Sequence, residues 1–76
     1  MYHRLQKIDN QDGSVTLFGP CFITGKQYSV TVQNEELQMY QNGALAQDAF
    51  PHLSKDDREF LISGTSPEGW NQTFGN

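Results

Sequence analysis

The chain has 76 residues, one cysteine and a formal charge of −4. That length holds one domain, and a chain of this size buries only about 60% of the surface its unfolded form exposes. An intrachain disulfide is excluded, and Cys21, His3 and His52 do not stand at metal-ligand spacing, so neither a metal nor a cofactor is expected. That leaves self-association into a homo-oligomer as the expected support for so small a core, or else a frugal core that manages alone.

The charge is unevenly placed. Residues 1–33 carry Arg4, Lys7 and Lys26 against Asp9 and Asp12, whereas residues 34–76 carry Lys55 and Arg58 against seven acids. The acidic second half argues against a surface that tracks the phosphates of duplex nucleic acid. It leaves room for a pocket holding one or two cations. No apolar run reaches membrane-spanning length. The single free cysteine fits a reducing cytoplasm.

In chain order, Tyr2–Ile8 alternates loosely and predicts a first strand. Asp9 to Gly13 is turn chemistry: Asn and Asp bond their own backbone, and Gly supplies positive φ. Ser14–Phe18 is β-branched and aromatic and predicts a second strand, interrupted by Gly19-Pro20 and resumed by Cys21-Phe22-Ile23. Thr24-Gly25-Lys26 predicts a tight reversal. Gln27–Val32 has the cleanest period of two, with Tyr28, Val30 and Val32 on one face.

Helical signals follow. Asn34 is the predicted N-cap of a helix over 35–42, with Glu35 and Glu36 in its first turn, where the dipole favours acids. Leu37 and Tyr40 form its inner stripe, and Gly43 ends it. Ala44–Phe50 predicts a second short helix that Pro51 stops. Ser54 with Asp57 resembles a capping box ahead of a helix over 55–63, with Phe60 and Leu61 facing inward. Ser66-Pro67-Glu68 starts a last helix over 67–74, where Trp70 and Phe74 lie four apart on one face. The fold class is therefore α+β: a three-stranded antiparallel meander in residues 2–32, packed on one face by short C-terminal helices in 34–74.

No catalytic constellation is visible. Gly-x-Ser-x-Gly is absent, and Asp56 and Asp57, adjacent on a helix, point in different directions and cannot share one bond. The chain reads as non-enzymatic. Gly25-Lys26 lacks the upstream glycine of a phosphate loop and reads as a hairpin turn, with Lys26 at its tip. Cys21 reads as a buried, inert thiol. Arg58 sits among acids: it belongs either to a surface ion-pair network or to a site for a carboxylate or phosphate. Trp70 either plugs the core or marks an interface or stacking platform. Arg4, Lys26, Arg58 and Trp70 are the candidate ligand contacts, three cations and one ring.

The segment Gln47-Asp48-Ala49-Phe50-Pro51-His52-Leu53-Ser54, followed by Arg58-Glu59-Phe60-Leu61-Ile62-Ser63-Gly64 and then Trp70 and Phe74, resembles a small phage-encoded protein family of unassigned function. The resemblance covers roughly residues 21–75. Some relatives carry Cys-x-x-Cys near the positions of Ser66–Gly69, which would make Cys21-x-x-Thr24 half of a lost zinc knuckle. The resemblance implies a phage accessory protein in the host cytoplasm. The class it suggests is counter-defence: a homo-oligomer that sequesters a small anionic nucleotide immune signal. The alternative is an acidic inhibitor or adaptor that binds a host protein.

Overall fold

Four valines and leucines at alternate positions set the sheet. The computed structural model describes residues 1–73. Strands β1 (Gln6–Asp9), β2 (Ser14–Pro20) and β3 (Gln27–Gln33) form an antiparallel sheet in the order β1-β2-β3. Val15 lies opposite Val32 and Leu17 opposite Val30, so one face of β2 and β3 is continuously apolar. The other face carries Thr16, Ser29 and Thr31. In the β1–β2 turn, the Asp12 carboxylate accepts the Ser14 amide at 2.9 Å.

Helices α1 (Asn34–Gln41), α2 (Ala46–Ala49), α3 (Lys55–Ser63) and α4 (Pro67–Thr73) follow. Leu37 of α1, Ala49, Phe50, and Phe60 and Leu61 of α3 meet the sheet valines and Leu17 in one core. The Phe60 ring stands edge-on to Tyr28 with centroids 4.9 Å apart. The α+β architecture agrees with the sequence reading. Among the described residues, no helix is long and apolar enough to cross a membrane.

Several boundaries differ, each for a local reason. The first strand begins at Gln6 and not at Tyr2, because Tyr2 is engaged elsewhere: its amide donates to Leu61 O at 2.8 Å and its hydroxyl to Pro20 O at 2.9 Å. Gly19-Pro20 does not interrupt β2; Gly19 pairs with Tyr28 and Pro20 with Gln27. Pro20 is tolerated because its missing N–H would point to the β1 side, where pairing already stops at Gln6 opposite Phe18. Gly19 is required by proximity, since a Cβ there would lie 2.8 Å from Arg4 O.

Cys21-Phe22-Ile23 is a turn and not a resumed strand. Cys21 N–H donates to Lys26 O at 2.8 Å, so the reversal spans 21–26. Gln33, not Asn34, caps α1, and the Glu36 carboxylate accepts its amide at 2.9 Å. The 44–50 helix contracts to Ala46–Ala49. Ser54 caps α3 as predicted, accepting the Asp57 amide at 3.1 Å. Gly64 closes α3 at φ 83°, a left-handed conformation that favours glycine. The inward role read for Phe74 lies outside the described residues.

Candidate functional site

The sharpest polar feature lies between α2 and α3. Pro51 breaks the chain after Phe50 and lets α3 return alongside α2. The two helices leave an open groove of about 420 Å³ lined by Leu45, Ala46, Lys55, Arg58, Glu59 and Ile62. Leu45 and Ile62 are 63% and 44% exposed, so the groove has apolar walls facing water. Arg58 is half-buried, and its Nε is buried with no hydrogen-bond partner among the described residues.

The acids beside Arg58 do not satisfy it. Asp57 accepts the Tyr28 hydroxyl at 2.5 Å. The two ion pairs found among the described residues are Lys26 with Glu68 at 3.1 Å and His52 with Glu36 at 2.7 Å. Among the described residues, the ion-pair network that sequence neighbours suggested for Arg58 is thus not formed. A guanidinium keeps its charge at any ordinary pH, and a buried N–H without an acceptor costs roughly 1–3 kcal/mol. Nε is closed to solvent here, so a carboxylate or phosphate entering the groove would recover that cost only if the side chain turned to present it.

The other candidates lie apart from this groove. Trp70 is half-buried in a second cleft of about 330 Å³ with Phe22, Ile23, Glu59, Ser63 and Thr65. Glu59 lines both grooves, so Arg58 and Trp70 occupy neighbouring sites. Lys26 is held by Glu68 of α4, the helix that carries Trp70. Arg4 is exposed and lines neither groove. The four residues do not converge on one pocket within a chain.

Cys21 carries a feature that sequence reasoning missed. It is buried, and its Sγ accepts amides from Ile23 and Thr24 at 3.4 Å and from Ser66 at 3.3 Å. Burial pushes the thiol up, but contacts from the side chains and amides of Ser66 and Thr24 outweigh it and bring the value down to about 6. Gly69, in the first turn of α4, lies against this thiol: a Cβ there would come within 2.8 Å of Sγ. The amides bond the sulfur itself. Among the described residues, no cluster of three or more His, Cys, Asp or Glu could hold a metal. The signal available in the sequence was Cys-x-x-Thr-Gly, a spacing that lets a sulfur accept the amides two and three residues on.

No known protein family, curated protein or solved structure matches the chain.

Proposed function

We propose that the protein is a non-enzymatic binding protein that takes an anionic group at Arg58 in the α2–α3 groove. The observation that carries this is the lining of the groove: Arg58 beside a second cation, Lys55, between the apolar walls Leu45 and Ile62, with no ion pair to Arg58 among the described residues. Such a site suits a ligand with a charged end and a flat or apolar body. A small nucleotide-type signal has that form, and the phage-family resemblance supplies the setting, a counter-defence homo-oligomer that sequesters it. Trp70 stands in the neighbouring cleft of the same chain, whereas Arg4 and Lys26 line neither groove and would take part through a neighbouring copy of the chain.

The test is to incubate the protein with cyclic dinucleotides and ADP-ribose derivatives, remove unbound material and heat the sample. Release of intact ligand is the expected outcome. Arg58→Ala should retain at least tenfold less, as loss of a charge-assisted hydrogen bond of about 1.5–3 kcal/mol requires. Altered ligand would reveal an enzyme. Retention of no ligand would refute sequestration of these signals.

A second reading is favoured by Phe22, whose ring is 69% exposed beside Ile23 and Trp70. Exposed aromatic and aliphatic side chains in one cleft suit a protein partner. A pull-down from host lysate that depends on Phe22 and not on Arg58 would select it.

A further inference from the structure

The sheet has two edges, and they are built differently. β1 is four residues long and carries Lys7 and Asp9, features that discourage pairing with another chain. β3 is seven residues, Gln27–Gln33, with no charge, no proline and no glycine. Its residues are rich in β-branched and aromatic side chains, the composition of a strand that pairs readily.

The direction of the β3 backbone groups follows from the bonds at the two ends of the β2–β3 ladder. Cys21 N–H donates to Lys26 O, and Asn34 N–H donates to Gly13 O. Antiparallel bonded pairs recur every second residue. The bonded pairs are therefore Gly19–Tyr28, Leu17–Val30 and Val15–Val32 within the observed register. The N–H and C=O groups of Gln27, Ser29 and Thr31 consequently point away from β2. Among the described residues none of them has a partner, and all three residues are exposed. Gln33 differs: its amide is taken by the Glu36 carboxylate.

We infer that β3 pairs antiparallel with β3 of a second copy of this chain, joining two sheets into one of six strands. This specifies the contact for the self-association contained in the function proposed above, and rests on that part of it. A two-fold axis at Val30 sets Ser29 against the second copy's Thr31, and Thr31 against its Ser29. Each such pair exchanges two main-chain hydrogen bonds. The match is self-complementary: every outward group of Ser29 and Thr31 finds a donor or acceptor, and Gln33, already capped, falls at the end of the pairing. A copy of the same chain is the occupant because a core this small gains from self-association and because the dyad sets neutral side chains opposite one another along the whole strand. No like charges are brought into opposition, although the chain as a whole carries −4. An isologous contact of this kind is the commonest form of homodimer.

The experiment measures mass by light scattering and amide exchange by NMR on the full chain. Wild type should scatter as about twice its 8.6 kDa mass. Its Ser29 and Thr31 amides should exchange as slowly as those of Val30 and Val32. The double variant Ser29→Lys/Thr31→Lys sets lysines directly opposite across the dyad and should be monomeric, with only the Ser29-site and Thr31-site amides made fast. Thr31→Pro removes an outward N–H that the intrachain ladder does not use, and should give the same mass while keeping the fold. A dimer that survives both variants, or one whose Ser29 and Thr31 amides exchange freely, would overturn the β3 contact and leave self-association standing. A wild-type monomer at every concentration would overturn both. Ligand retention at Arg58 is scored separately, so neither result is confused with failure of that site.

Discussion

A thiol at 2% exposure ordinarily titrates high, because moving a thiolate out of water is costly. Around Cys21 that cost is outweighed by the Ser66 and Thr24 contacts, which bring the value down to about 6. The linkage has a definite sign. An unfolded thiol titrates near 8.5, so the folded form holds its thiolate more favourably than the unfolded form does. The resulting stabilisation is fully present above about pH 8.5 and is lost as pH falls through about 6. Cys21→Ser keeps an acceptor of similar size that does not ionise in this range. The unfolding free energies of wild type and Cys21→Ser, taken from urea titrations, should therefore diverge as pH rises from 6 to 8.5, by at most about 1.4 kcal/mol per pH unit. Parallel curves would mean that Cys21 remains a neutral thiol.

At the scale of elements, β3 is joined to α3 by more than apolar contact. The Tyr28 hydroxyl donates to the Asp57 carboxylate, and the Tyr28 ring packs on Phe60. The Asp57 hydrogen bond, burial and the nearby acids together hold the phenol up to about 12. A phenol near 10 in the unfolded chain and near 12 in the folded one stabilises the fold below pH 10 and loses that contribution as pH rises through 12. An absorbance titration should show a tyrosine ionising near pH 12. Tyr28→Phe should abolish that late step and cost roughly 1–2 kcal/mol.

This strap also marks the limit of what the residues alone disclose. The period of two in Gln27–Val32 placed Tyr28 inward, and Ser54 and Gly64 bounded α3, because those signals are local. The partner of the hydroxyl lies 29 residues away, and no local pattern encodes it. The same holds for Arg58: its acidic neighbours suggested ion pairs, but Asp57 faces Tyr28 and leaves Arg58 to the groove. Cys21-Phe22-Ile23 looked like strand because it is apolar. The sulfur instead gathers three amides and bends the segment into a turn.

Across the whole molecule, Tyr2 ties the two halves together. Its amide reaches Leu61 at the end of α3 and its hydroxyl reaches Pro20 at the end of β2. Its ring stands edge-on to Phe60 with centroids 6.1 Å apart. It also fills the space beside Gly64, where a Cβ would come within 2.5 Å of ring carbons. One side chain thus contacts strand end, helix end and core. In a chain this short, total stability is on the order of 5 kcal/mol, and truncating a buried aromatic to alanine costs about 3–5 kcal/mol. Tyr2→Ala should therefore leave only about 0–2 kcal/mol, with between a few per cent and about half of the molecules unfolded at 25 °C, whereas Tyr2→Phe, which loses only the bond to Pro20, should cost about 1 kcal/mol. Because the clasp spans both halves, Trp70 fluorescence and far-ultraviolet circular dichroism of Tyr2→Phe should follow one urea transition, shifted to lower urea. Separate transitions for the two signals would show that sheet and helices unfold independently and that Tyr2 does not couple them.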